Sequence, residues 1–293
     1  MANGDAGRAS HLSARPYQAT DETAVLALIE ADRRPGQPRT TPAMLAEALV
    51  GRSTVDAGWW SELEAPATDV ACDAVGRVEG VVSHATRPSD GAGYILWLHS
   101  REDLAVAEAL VAHALDRLGP RTVYAFEFAS ALSLGLEGLP VRHRPATRKA
   151  LEPFGFTGRD LWRYMRAPLP LAGLERTTVH ALVTDSEDPP GKRLEIHEDG
   201  DLVAEAMIGR PVSGVGVLWW ISVTPGSQRR GLGMSLLGSA LDQLRELGAK
   251  EVILYVDDDA PGDPKRSRAA ATRMYDRAGF TEVDRLFSYT RQP

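Results

Sequence analysis

The sequence predicts a mixed α/β chain made of two similarly built halves. Three observations carry this. Apolar, strand-like runs alternate with amphipathic helical stretches along most of the 293 residues. The segments TRKALEPFGFTGRDLWRYMR at 147–166 and TRMYDRAGFTEVDRLFSYTR at 272–291 share Gly-Phe-Thr, then an aromatic, a Tyr and an Arg at alternating positions. Upstream of each, GYILWL at 93–98 resembles GVLWWI at 216–221, in the same order.

Residues 1–14 are rich in Gly, Ala and Ser and read as a flexible tail. A first helix follows Asp21 and Glu22, with Val25, Leu28 and Ile29 on one side. Thr41 can cap a second helix, because Pro42 fits its first turn. DVACDAVGRVEGVVSHAT then reads as two strands joined near Gly76, and 93–100 as a buried strand. A helix over 104–118 ends at Gly119, RTVYAFEF is a strand, and LWRYMRAP is the last strand of the half. In the second half, RLEIHEDG and LVAEAMIGR pair across a turn at Asp199–Gly200. The segment 214–223 is a buried strand, 231–247 a helix ending at Gly248, EVILYVD a strand, 268–278 a helix and 284–290 the final strand.

Composition bounds the function. Hydrophobic residues at 43% and charged residues at 25% support a sizeable core and exclude wholesale disorder. The net charge of −7, with neither half basic, argues against a general nucleic-acid binder and a polybasic membrane surface, though not against a local basic patch. The single Cys72 allows no intrachain disulfide, and no apolar run approaches the roughly 20 residues that cross a bilayer. The N-terminus lacks the apolar stretch of a signal peptide. These features predict a cytoplasmic monomer or homodimer with no nucleic-acid or membrane partner and no metal.

The halves differ at one corner. From Gly216 to Gly248 is six residues longer than from Gly93 to Gly119, and the extra length lies in VTPGSQRRGLG. Gln228, Arg229, Arg230, Gly231, Leu232 and Gly233 open a helix whose first N–H groups lack intrahelical partners. Gly231 and Gly233 let an anion approach the backbone, and the helix field with the arginines attracts it. The physical reading is a pyrophosphate site; a tight turn with two exposed arginines is the alternative.

This loop, with Gln228, Gly231 and Gly233 in place, resembles the acyl-CoA-binding motif of the GNAT superfamily of N-acyltransferases. The segment ATRMYDRAGF at 271–280 is similar to the family's later alanine–tyrosine–Gly-Phe motif. The resemblance implies a mixed, splayed sheet with helices on its faces and a V-shaped opening for pantetheine. It implies two tandem acyl-CoA N-acyltransferase-like domains: a degenerate one over 15–167, a linker over 168–178, and a catalytic one over 179–293, short at its front. The layout and the segment LYVDDD resemble tandem GNAT proteins, including mycothiol synthases.

The resemblance also implies roles. The strand end at Ile221 and Val223 meets the pantetheine arm through backbone groups. The backbone from Arg229 to Gly233 holds the pyrophosphate of acetyl-CoA. Tyr275 protonates the departing thiolate, a role suited to a weak acid whose unperturbed pKa is about 10; an aromatic packed in a helix–sheet core is its other reading. Arg268, beside Lys265 and Arg266, is a candidate contact to the nucleotide phosphate, with a solvated polar loop as the alternative; many relatives carry Asn at that position. The general base is less marked. Glu205 is the candidate, with Glu195, His197 and Asp257–Asp259 as alternatives that could relay a proton through water. A regular strand would send Trp219 and Trp220 to opposite faces, one into the core and one toward the acceptor.

In the first half the same corner reads WLHSREDLAVA, with Glu102 and Asp103 at the helix start and Leu151 where the second half has Tyr275. Acidic residues there cap a helix but repel a pyrophosphate. The expected activity is direct transfer of an acetyl group from acetyl-CoA to a primary amine of a small molecule. The alternative is a CoA-responsive regulatory protein with little catalysis.

Overall fold

The computed structural model describes residues 12–171, 180–257 and 269–293. The chain divides into two compact units. The first takes the chain up to Arg34, Arg39–Leu161 and Arg285–Pro293; the second takes Pro35–Pro38 and Trp162–Asp284.

The first unit begins with β1 (Ser13–Pro16), which pairs with β2, so order starts inside the segment expected to be a tail. The helices α1 (Glu22–Ala31), α2 (Pro42–Leu49) and α3 (Ala57–Ser61) follow. Thr41 caps α2 by accepting from the Met44 N–H at 3.2 Å. Then come β2 (Ala67–Cys72), β3 (Val78–Arg87), β4 (Ala92–His99), α4 (Leu104–Leu118), β5 (Val123–Ala125), β6 (Leu139–Pro140), α5 (Pro145–Leu151) and the start of β7 (Thr157–Pro168). The strands β1 to β4 form an antiparallel ladder in sequence order, and β5 lies parallel to β4. Asp103 caps α4, and the helix buries Val106, Leu110, Val111 and Leu118 against Val82, Ile95, Leu98 and Val123. Gly80 permits this close approach: a Cβ there would lie 2.5 Å from Val106 Cγ1.

The second unit holds the end of β7 and then β8 (Leu182–Glu187), β9 (Pro190–Glu198), β10 (Asp201–Gly209), β11 (Val215–Val223), α6 (Leu232–Glu246), β12 (Glu251–Asp257), α7 (Ala269–Ala278) and the start of β13 (Thr281–Arg291). Its strands run β8-β9-β10-β11-β12-β7, antiparallel except for the β11–β12 pair. The β9–β10 turn puts Asp199 and Gly200 at positive φ, 53° and 92°, as a two-residue hairpin requires. One core cluster joins α6 (Leu236, Leu237, Leu241, Leu244) to Ala204, Ala206, Ile208, Val252 and Leu254.

These units differ from the sequence boundaries at both terminal strands. β12 pairs from Glu251↔Pro168 to Asp257↔Trp162, with the last strand of the first half. β5 pairs through Tyr289↔Ala125 to Arg291↔Val123, with the last strand of the second half. The physical reason is burial on the receiving side: Met165 and Ala167 are in the core of the second unit, and Tyr289 in that of the first. Of the expected linker, 172–179 lies outside the described residues.

The repeat extends to a defect. In both copies the strand leading into the major helix carries one extra residue against its antiparallel neighbour: Leu96, between Ile95↔His84 and Trp97↔Ser83, and Trp219, between Leu218↔Ile208 and Trp220↔Met207. Each bulge lies three positions after the matching glycine, Gly93 or Gly216.

In the first unit the corner after this bulge is filled. Leu96, Trp97, Leu98 and Phe126 are all buried. Behind them, Asp32 lies 3.1 Å from His99 Nδ1 and 3.2 Å from Arg144 Nη2. Arg144 donates to the Leu98 carbonyl at 3.0 Å and is ion-paired to Glu102, whose carboxylate also caps α5 at the Ala146 and Thr147 N–H groups. Glu102 therefore caps α5, and Asp103 alone caps α4.

Burial alone would push the Asp32 carboxyl up; the His99 hydrogen bond and the Arg144 charge override it and hold the group at about 2, below its ordinary 3.8. A carboxyl with a depressed folded pKa adds stability above its ordinary range and loses it as pH falls through about 4 to 2. Asp32→Asn is expected to flatten the fall in urea midpoint across that window. Arg144→Ala, which strands a buried carboxylate, is expected to cost about 3–5 kcal/mol in urea denaturation at neutral pH.

Candidate active site

The site begins where two parallel strands part. β11 and β12 pair from Val215↔Glu251 to Leu218↔Leu254, and there their register ends. β11 continues to Val223 along β10, and β12 to Asp257 along β7. The bulge at Trp219 sits at the point of parting; an extra residue bends its strand and sharpens the local twist. The result is a cavity of about 220 Å³ between the diverging ends, lined by residues that include Trp162, Trp219, Trp220, Ile221, Ser222, Tyr255, Asp257 and Tyr275.

Strand alternation sorts these residues. Ala204, Ala206, Ile208, Leu254 and Val256 are buried in the core with α6. Trp220 and Ser222, registered with Met207 and Glu205, face the other way. So do Tyr255 and Asp257, registered with Tyr164 and Trp162. Gly209 leaves room for the bulged indole: a Cβ there would lie 2.6 Å from Trp219 Nε1. Both tryptophans therefore line the cavity, and neither is core; Trp220 is 51% exposed. The expected alternation fails because the strand is not regular at that point.

Beyond the cavity lining, β11 leads through a turn into α6. Gln228 Nε2 donates to the Val223 carbonyl at 3.2 Å, tying the turn to the strand end. Arg229 and Gly231 stand at positive φ, 62° and 82°. Gly231 is the helix N-cap and no side chain caps it. The first N–H groups of α6, from Leu232 onward, are thus presented as an anion site needs them. A Cβ on Gly231 would enter open space, and one on Gly233 would lie 3.3 Å from Met274 Sδ. Arg230 makes a two-pronged ion pair with Glu198, at 2.7 and 2.8 Å, which raises its pKa and ties it to the end of β9. Arg229 is the other cation on the turn.

Residues 159–280 match the acetyltransferase (GNAT) family. This stretch is a GNAT acetyltransferase domain. A mycothiol acetyltransferase from Beutenbergia cavernae is 40% identical over 90 residues, 30% of this chain and 28% of that protein. The chain thus matches less than a third of that relative's length. A GCN5-related N-acetyltransferase structure from Sphaerobacter thermophilus aligns over 96% of both chains, with a TM-score of 0.63 at 16% identity. A tandem GNAT protein from the clavulanic acid biosynthesis pathway aligns over 96% of this chain and 98% of its own, with a TM-score of 0.63 at 17% identity. At such identities the likeness is one of fold, a mixed sheet with flanking helices.

Within the GNAT domain, Tyr275 serves both readings of its sequence position. It belongs to the core, edge-to-face with Phe280 at 5.6 Å, and it lines the cavity from α7. Ile221 lines the cavity, and the Val223 backbone meets Gln228. Glu205 sits one strand from the cavity, opposite Ser222, and is not on its lining. Arg193 Nη2 donates to its Oε2 at 2.6 Å, and Arg193 also contacts Glu195, which lies 3.2 Å from His197. These three candidate bases lie along β9 and β10, Glu205 and Glu195 ion-paired to Arg193 and His197 in contact with Glu195. Arg268, Lys265, Arg266, Asp258 and Asp259 lie outside the described residues.

Two wall residues escape a sequence reading. Trp162 comes from the other sequence half, brought in by β7. Tyr255 is held by stacking on Tyr164 at 5.3 Å and by Gln37, whose Nε2 donates to both hydroxyls at 3.2 Å. Alternating aromatics in LWRYMR and LYVD were the available signal. Gly209→Val is expected to displace Trp219, altering tryptophan emission and lowering stability by about 1–3 kcal/mol in a urea titration.

Proposed function

We propose that the protein is an acetyl-CoA-dependent N-acetyltransferase acting on a primary amine of a small molecule. The parting of β11 and β12 carries this reading: it leaves a slot with a tyrosine on its wall, and β11 runs on from it to a glycine-opened helix start. The N–H groups at Leu232 and Gly233 would hold the pyrophosphate, with Arg229 adding charge. The strand edge at Ile221 and Val223 would take the pantetheine. The thioester would then lie beside Tyr275.

In the reaction, the neutral amine nitrogen bonds to the thioester carbonyl carbon and the carbon–sulfur bond breaks. The Tyr275 hydroxyl gives its proton to the departing thiolate, the nitrogen loses one proton to water as the amide forms, and water returns a proton to Tyr275. Holding both reactants in one slot accounts for much of the acceleration without a covalent intermediate. The first unit would take no CoA, because its matching corner is filled by the Asp32–Arg144–Glu102 cluster and buried apolar side chains.

A second reading, a CoA-responsive protein with little catalysis, is favoured by one observation: the candidate base Glu205 is ion-paired away from the cavity. Calorimetry with acetyl-CoA is expected to give one site per chain. Tyr275→Phe should keep that affinity and lower kcat by about 10²–10⁴-fold, as measured by thiol release. Unchanged turnover would leave the second reading or another acid. Gly231→Val, forced to positive φ and projecting over the helix start, should weaken acetyl-CoA binding at least tenfold, about 1.4 kcal/mol.

A further inference from the structure

The four residues Pro35–Pro38 stand between α1 and α2 in the sequence, yet they belong to the second unit. Gln37 carries their one hydrogen-bonding side chain; it is 5% exposed, and a buried primary amide needs partners. It finds them on the sheet. Gln37 Nε2 donates to the Tyr164 and Tyr255 hydroxyls, each at 3.2 Å. The Tyr164 hydroxyl donates in turn to the Pro35 carbonyl at 2.8 Å. The two rings are registered partners on β7 and β12 and stack at 5.3 Å with 16° between their planes. Gly36, at a φ of 79°, lets the segment lie this close: a Cβ there would stand 2.6 Å from the Tyr164 hydroxyl oxygen and 2.7 Å from Ile253 Cγ2.

The two tyrosines differ in what they border. Tyr164 is fully buried, whereas Tyr255 lines the cavity. Tyr255 follows Leu254, the last residue of β12 that pairs with β11, and from there β12 continues along β7. The ring is fixed at two places, its face by the stack and its hydroxyl by Gln37. The stack sets the plane of the ring, and the hydrogen bond sets how far it leans toward the cavity. Gln37 itself is not on the described lining.

We propose that Gln37 is a positioning residue for the amine substrate, acting through the Tyr255 hydroxyl to hold that ring in place on the cavity wall. The inference rests on the transferase reading above and deepens it. Leu254 and Val256 point into the core shared with α6, so Tyr255 between them faces the opposite side. Tyr275 reaches the cavity from that core. With the thioester beside Tyr275, the wall at Tyr255 is the one an incoming amine meets. A misplacement of about 1 Å, even one caused far from the chemistry, is enough to spoil the alignment of bound reactants. A wall fixed before the amine arrives also avoids ordering a free ring on binding.

Methionine matches glutamine in length and lacks the N–H donors, so Gln37→Met separates positioning from packing. The test uses the full chain with Gln37→Met, Tyr255→Phe and the two combined; Gln37→Leu takes the place of Gln37→Met should that variant fail to fold. Thiol release from acetyl-CoA is followed with phenethylamine, glucosamine and putrescine, beside calorimetry with acetyl-CoA. For each amine that the wild type uses, Gln37→Met is expected to raise KM about tenfold while acetyl-CoA affinity stays within about twofold. Tyr255→Phe, which keeps the stack and loses the hydrogen bond, is expected to raise KM by a similar factor. In the Tyr255→Phe background Gln37→Met should add less than about twofold, because the hydroxyl through which it acts is gone.

An amine KM left unchanged by Gln37→Met or by Tyr255→Phe overturns this inference and leaves the transferase reading standing, even where the urea midpoint falls. So do effects that multiply in the double variant, or acetyl-CoA binding with use of none of the three amines. An absence of acetyl-CoA binding by the wild type removes both.

Discussion

The second unit depends on a single interruption of hydrogen bonding. A parallel strand pair in a buried sheet normally continues until one strand ends. Here β11 and β12 stop pairing at Leu218 and Leu254 while both run on, each held by its outer neighbour. The slot therefore has rigid walls and exposed backbone edges together. The extra residue at Trp219 keeps the divergence in place, and Gly209 leaves space for the indole it turns out of register. The helix start, Tyr275 and the aromatic wall take their positions from that opening.

The first unit carries the same strand bulge in a different setting. Its bulge at Leu96 stands in the matching place, but its parallel pairing stops at Ile95 and Ala125 because β5 ends there. Its corner is instead closed by Phe126, Leu98 and a buried ionic cluster around Arg144. A buried cluster of this kind is retained only while all its members are present, since removing one strands the others. The backbone defect survives in both copies, and the side chains decide whether it is a cleft or a core.

Much of this was legible in the sequence. Element positions followed from periodicity and capping: Thr41 and Asp103 cap the helices they precede, and Asp199–Gly200 makes the tight turn. The glycine-rich turn and Tyr275 are legible by motif: Tyr275 lines the cavity, and the turn follows the strand that forms its wall. What escaped depends on long-range register. No local pattern reveals that β7 and β13 pair outside their own halves, so Trp162 could not be placed on the wall. A bulge breaks the period-two rule from which the faces of Trp219 and Trp220 were read. Glu205 was plausible by strand position alone, and Arg193, twelve residues upstream, decides its charge environment.

The exchanged terminal strands bear on how the molecule is made. Synthesis proceeds from the N-terminus, and domains commonly fold as they emerge. The first unit here cannot complete the edge of β5 until residues 289–291 have been made, after almost all of the second unit. Conversely, residues 162–168 emerge well before β12, the strand they will join. The nascent chain must therefore carry an unfinished sheet edge through most of its elongation. The two halves form an interdependent pair in time as well as in sequence, so splitting the gene between them would leave each product short of a strand.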